Sequence, residues 1–177
     1  MVHDCEGRMK ELMWGSDSER DILHYFFIQA RKMRRMTIIV IFFHLPNENE
    51  LLLCCDGASR GNPGTAGYGF IVRNYIGAFI FAESGGLGIT TNYVAEFILC
   101  IKAMEWAVEN QNVRLILQSD SKTCIITLKQ QKISWFFLAR WQKVMAGIHS
   151  ISFNHVYREI NFSADHFAKK GVHLQKG

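Results

Sequence analysis

At 177 residues, 49% of them hydrophobic and only 2 of them proline, the chain is long enough for one domain with a proper core plus an extension, which excludes disorder over its whole length. The formal net charge of +4 arises after residue 48, where 13 Lys/Arg stand against 9 Asp/Glu, while residues 1–48 hold 7 of each. That balance suits a polyanionic partner without singling one out.

Five cysteines (Cys5, Cys54, Cys55, Cys100, Cys124) show no CxxC or CxxH spacing, which argues against zinc and for small core residues in a reducing compartment. The start of the chain lacks a leader pattern, and no run approaches the ~20 apolar residues needed to span a bilayer. The expectation is a soluble intracellular protein with no membrane partner, nucleus and cytoplasm not being distinguished.

Residues 1–48 read as an N-terminal extension with no assigned function, and 49–177 as the domain. Within the extension, Asp21 to Arg35 has the pattern of an amphipathic helix, and Thr37 to Phe43 is a short β-prone run. The basic run Arg31 to Arg35 reads first as a solvated helix end, with phosphate contact as the alternative. HLPNENE then supplies turn residues at the boundary. Leu51 to Asp56 reads as a strand and Gly57 to Gly67 as a glycine-rich turn. Tyr68 to Arg73 and Ala78 to Glu83 are two more strands of a meander. SGGLGITTN is a loop, after which Thr91 or Asn92 caps a helix running to about Asn110. Val113 to Gln118 is a continuous apolar strand, as expected when both faces are buried. Ser119 to Gln131 and Ser134 to Gly147 are helices, Ile151 to Arg158 a fifth strand, and Phe162 to Lys170 a closing helix. The order βββαβα(α)βα predicts an α/β fold, a five-stranded mixed sheet flanked by helices.

Four carboxylates stand at the edges of these elements: Asp56 at a strand end, Glu96 in TTNYVAEF, Asp120 in LQSDSK and Asp165 in SADHFAKKG. Each has an ordinary explanation. Asp120 can cap a helix, Asp165 can be an exposed helix charge, and Glu96 can be a first-turn partner of the helix dipole. His155 in an alternating strand can be structural, and Asn62 with Gly64 can be a plain turn. Taken together, four such carboxylates point to a divalent-metal site assembled from distant parts of one domain.

The motifs DGASRGNPGTAGYGFIVRN, TTNYVAEF, SDSK and HVYREINFSADHFAKKG, in this order and on these elements, resemble the type 1 ribonuclease H family over about residues 50–171. Within it the chain is most similar to plant RNase H-like domains related to retrotransposon reverse transcriptases. The resemblance implies a ribonuclease H-like fold and a metal-dependent endonuclease that cuts the RNA strand of RNA–DNA hybrids. It places the metal-binding carboxylates on Asp56, Glu96, Asp120 and Asp165, and a mobile catalytic histidine on His155. It assigns nucleic-acid contact to Gly57, Gly61, Asn62, Gly64 and Asn92. The implied cofactor is a pair of Mg²⁺ ions, with Mn²⁺ as substitute.

The chemistry is coherent. Clustered carboxylates repel one another, Mg²⁺ prefers oxygen ligands, and two ions can clamp an in-line phosphoryl displacement. A histidine titrates where water positioning or proton transfer is useful. The RNA 2′-hydroxyl offers a donor and an acceptor to backbone groups and to the Asn62 and Asn92 amides.

Two other readings remain at this level: a catalytically weak or inactive nucleic-acid-binding module of retrotransposon origin, and an exonuclease or transposase on the same broad fold. Only 34 residues separate Asp120 from His155, too few for the basic helical handle of some bacterial relatives. A monomer that uses a helper domain or partner to retain substrate is therefore expected. The aromatic run Trp135 to Trp141 reads as core packing, with base stacking as the alternative. Tyr93 stands where relatives often carry a second asparagine. Lys122, Lys129, Lys132, Arg140 and Lys143 read as a DNA-backbone lining or, equally, as a solvated helix face.

Overall fold

The computed structural model describes residues 17–26 and 40–175. The chain divides into two compact units, Met1–Val40 and Ile41–Gly177. In the first, helix α1 spans Asp17–Tyr25. Phe26 closes its end by donating its backbone N–H to the Ile22 carbonyl. The helix expected from Asp21 thus begins earlier. Residues 27–35, with the basic run, and residues 37–39 lie outside the described residues. Residues 40–43 form no strand.

The second unit is a five-stranded sheet of order β3-β2-β1-β4-β5. Its strands are β1 Leu51–Gly61, β2 Gly64–Arg73, β3 Phe79–Thr90, β4 Arg114–Ser119 and β5 Ser150–His155. The first three form an antiparallel meander, and β4 and β5 join parallel to β1. Helices α2 Asn92–Glu109, α3 Lys122–Lys129, α4 Trp135–Ala146 and α5 Phe162–Gly171 complete the expected order.

Side-chain alternation along β1 divides the core. Leu53 and Cys55 enter the larger cluster with Phe97, Met104, Leu128 and Trp141, while Leu52 and Cys54 pack with Ala164 and Phe167 of α5. Cys54, Cys55, Cys100 and Cys124 are buried free thiols, with the Cys100 and Cys124 sulfurs 3.7 Å apart. Among the described residues no helix is long and apolar enough to cross a membrane.

Two segments expected as turn and loop are strand instead. The Gly57 to Gly67 stretch continues β1 and β2, leaving only a tight reversal between the paired Gly61 and Gly64. Gly61, with φ +98°, and Gly64 make that reversal, while Gly57 and Gly67 serve close approach. A Cβ on Gly57 would lie 2.9 Å from the Glu96 backbone nitrogen, and one on Gly67 or Gly69 would run into the backbone of Val172 or Ala168. The SGGLG segment likewise stays in β3, opposite β2, with a bulge near Gly67. There Gly85 leaves room for the Tyr68 ring. Conversely, the helix expected from Ser119 begins at Lys122. Ser119 remains paired in β4, and the Ser121 hydroxyl caps by accepting the Cys124 N–H at 3.4 Å.

Candidate active site

Cys55 of β1 lies beside Ser119 at the carboxyl end of β4, so Asp56 and Asp120 follow side by side where the β1–β4 pairing ends. Open α/β sheets hold ligands at that edge. Asp56, expected at a strand end, sits mid-strand because β1 runs on to Gly61 against β2. Glu96 enters from the start of α2, which is fixed by the Thr91 hydroxyl accepting the Val94 N–H at 3.3 Å. One carboxylate oxygen from each of Asp56, Glu96 and Asp120 lies within 4.8 Å of the others.

Asp56 and Glu96 are only 3% and 5% exposed. Burial first, then the charges of Asp120 and Glu96, pushes Asp56 up to about 9. Burial and then Asp120 push Glu96 up to about 8, against the Gly57 N–H and Arg158, which favour its charged form. Glu96 Oε2 is buried without a hydrogen-bond partner. The cluster is a carboxyl pocket short of positive charge, in which Asp56 and Glu96 keep their protons at neutral pH.

Asp165 stands apart from that trio. Arg158 Nε donates to its Oδ1 at 3.2 Å, Arg158 Nη2 contacts the same oxygen, and Lys169 Nζ reaches Oδ2. Partial burial would raise its pKa, but these two cations outweigh burial and hold it below the usual carboxylate range. His155, at the end of β5, places Nε2 3.1 Å from the Asp120 carbonyl oxygen.

A cavity of about 850 Å³ runs from the carboxylates past Gly57, Gly61, Asn62 and Asn92 to Arg60, Arg158, Lys169 and His173. The Asn62 Oδ1 accepts the Asn92 backbone N–H at 3.1 Å, tying the β1–β2 turn to the start of α2. Gly64 lies beneath this turn rather than along the cavity; a Cβ there would fall 1.9 Å from the Arg60 carbonyl oxygen.

Arg60, Arg158, Lys169 and His173 escaped the sequence reading. Only Lys169, four residues after Asp165 on one helix, carried a local signal. Among the basic residues that were read as a lining, Arg140 is engaged in a two-point pair with Glu105 at 2.9 and 2.6 Å. Lys122, Lys129, Lys132 and Lys143 are exposed.

A family profile described as reverse transcriptase-like matches residues 54–171. The chain belongs to the ribonuclease H family. Ribonuclease HI of Halobacterium salinarum is 30% identical over 125 residues, 66% of this chain and 61% of that protein. The crystal structure of RNase H1 from the same archaeon superposes with a TM-score of 0.64 at 27% identity, covering 70% of this chain and 97% of that one. An Arabidopsis thaliana protein bearing a ribonuclease H name is 31% identical over 126 residues, 69% of this chain but 20% of its own length. The chain thus spans less than two thirds of these curated relatives.

In this ribonuclease H domain the aromatic run on α4 is only partly core. Phe137 and Trp141 are buried, with Phe137 stacked on Phe97 at 4.8 Å, and Val144 continues the inward stripe. Trp135 is 83% exposed and packs edge-on against the exposed Phe136. The helical period sends residues 137, 141 and 144 inward and leaves 135 and 136 outside. Tyr93 is on the surface, its ring 6.0 Å from Phe97.

Proposed function

We propose that residues 49–177 form a domain that hydrolyses the RNA strand of RNA–DNA hybrids, leaving 5′-phosphate and 3′-hydroxyl ends. The observation that carries this reading is the clustered trio of buried Asp56 and Glu96 with half-buried Asp120, at the floor of an open cleft. The trio fits divalent cations on its own chemistry. Its donors are all carboxylate oxygens, their mutual repulsion and burial raise two of them, and Glu96 Oε2 lacks any partner. Mg²⁺ is the proposed ion, with Mn²⁺ as substitute. When bound, a pair of such ions supplies an activated water and neutralises charge on the leaving oxygen.

The chain's own residues do the rest. Asp56, Glu96 and Asp120 would hold the cations, each offering a carboxylate oxygen within 4.8 Å of the others. Asp165, held by Arg158 and Lys169 in this structure, would be a further carboxylate ligand. His155, hydrogen-bonded at the Asp120 carbonyl, orients water or carries a proton at the rim. The Asn62–Asn92 link holds the turn and the α2 start at a fixed separation, so that amide and backbone groups meet 2′-hydroxyls by shape rather than by base. Residues 1–48 are an extension to this domain. The motifs together with the Arabidopsis relative support a plant retrotransposon-related origin. The domain acts as a monomer, with a helper segment or partner retaining substrate.

The test is cleavage of a labelled RNA–DNA hybrid in Mg²⁺, beside matched RNA–RNA and DNA–DNA duplexes and an Asp56→Asn protein. The expected result is cutting of the hybrid's RNA strand alone, falling to background in Asp56→Asn. Hybrid binding without cutting by the folded wild type, in Mg²⁺ and in Mn²⁺, would replace this reading with that of a binding module.

A further inference from the structure

The cavity that holds the carboxylates has a cationic end that the proposed chemistry does not use. Arg60 is the last residue but one of β1, on the same side of the strand as Asp56 because side chains alternate. Its guanidinium Nη2 lies 2.9 Å from His173 Nε2, just beyond α5. A guanidinium can only donate, so the imidazole accepts through Nε2 and is neutral in this pair. His173 therefore orients Arg60 without cancelling its charge.

The neighbouring cations differ. Arg158 and Lys169 are both engaged by Asp165, and Arg140 by Glu105. Among the described residues no carboxylate pairs with Arg60, and both Arg60 and His173 are exposed on the wall of the cavity. The backbone beneath is not free to wander. Arg60 is paired with Thr65, and its carbonyl is packed against Gly64.

We infer that Arg60, oriented by His173, is a phosphate clamp for the strand that is cut, gripping a phosphodiester a few nucleotides from the scissile one. This rests on the proposed nuclease function. Four residue steps along β1 separate Asp56 from Arg60 by about 13 Å, whereas one strand of a DNA duplex advances about 3.4 Å along the helix axis per nucleotide. A strand with its scissile phosphate at Asp56 therefore presents Arg60 with a phosphate a few nucleotides away. The planar guanidinium, with one N–H donated to His173, keeps its other donors for two-point contact with phosphate oxygens.

The experiment combines steady-state cleavage in Mg²⁺ with anisotropy of a labelled RNA–DNA hybrid over a salt series. The anisotropy is read in Ca²⁺, so that the strand stays whole. For Arg60→Ala the expected result is a KM raised by about 3- to 10-fold with the loss falling on KM rather than kcat, and a salt slope of log K shallower by about 0.7–0.9. Arg60→Lys keeps the slope, since it keeps the charge. His173→Ala weakens binding with the slope intact. A single methylphosphonate moved along the RNA strand weakens wild-type binding at one position near the cut, and that penalty vanishes in Arg60→Ala. Wild-type cutting and binding with an unchanged slope and KM in Arg60→Ala would overturn the clamp alone. A wild type that neither binds nor cuts the hybrid would overturn the nuclease reading, and the clamp with it.

Discussion

Glu96 and Asp56 carry the largest unrelieved electrostatic cost in the described part of the domain, and that cost sets how the protein responds to pH. Their folded pKa values of about 8 and 9 lie above the ~4.3 and ~3.9 of unfolded chains. Between those limits the folded state holds protons that the unfolded state releases. The pair's contribution to stability is therefore full below about pH 4 and declines as pH rises through 8 to 9. A divalent cation bound at the proposed site would replace those protons. Melting followed by circular dichroism should show a larger Mg²⁺-induced rise in Tm at about pH 9 than at about pH 6, relative to EDTA. Glu96→Gln should flatten the decline in EDTA and reduce the Mg²⁺ effect. Equal Mg²⁺ effects at the two pH values would sink this account.

Asp56 and Asp120 were legible in the sequence because each follows a strongly apolar run, Glu96 because it stands early in an apolar helix, and Asp165 only through its motif. The state of Asp165 was not. Arg158 lies seven residues before it across a turn and meets it only once the chain closes that turn. Arg60 and His173, 113 residues apart, carry no local signal of their contact.

At the scale of elements, α5 lies close on β2 because Gly67 and Gly69 carry no side chain there. A Cβ on Gly69 would come 2.3 Å from the Ala168 nitrogen, which is backbone and cannot rotate away. Gly69→Ala should therefore cost about 1–3 kcal/mol as an overpacking change, lowering Tm by roughly 3–10 °C. It should also shift α5 and Asp165 outward, so that cleavage falls even at temperatures where the protein stays folded. A Tm and rate matching wild type would show that the helix has slack in its seat.

The same glycines explain why the element order was readable and several boundaries were not. In a lone sequence a glycine-rich stretch looks like a turn. Here most of those glycines sit inside β1, β2 and β3, where helices and the Tyr68 ring approach the backbone. Close approach is a tertiary fact with no local signature. The exposed Trp135 and Phe136 make the related point for α4. An aromatic run reads as core, but a helix packed on one side, here against Phe97 of α2 and Phe153 of β5, can bury only the residues its period turns inward.

For the whole molecule, composition and turn residues put the domain boundary at residue 48, yet the packing of the second unit reaches further back. Pro46 is buried, and the Leu45 side chain lies over Gly77, where a Cβ would meet its Cδ2 at 3.2 Å. Phe43 and Leu45 line a cavity of about 360 Å³ with Cys54, Arg73 and Phe162, on the side of the sheet that α5 covers. A chain starting at Asn49 would uncover that apolar surface above Cys54 and the start of α5, while one starting at Ile41 keeps it covered. The cover is partial, since Phe43 and Leu45 remain largely exposed. Losing it should cost about 1–2 kcal/mol, or roughly 3–8 °C in Tm. The expected outcome is that the chain from Ile41 melts with the full-length protein, while the chain from Asn49 melts lower. Both should retain hybrid cleavage at a temperature where they are folded, because among the described residues none before Leu51 lines the cavity that holds the carboxylates. Equal melting of the two shortened chains would place the functional boundary at the turn after Pro46, where the sequence alone puts it.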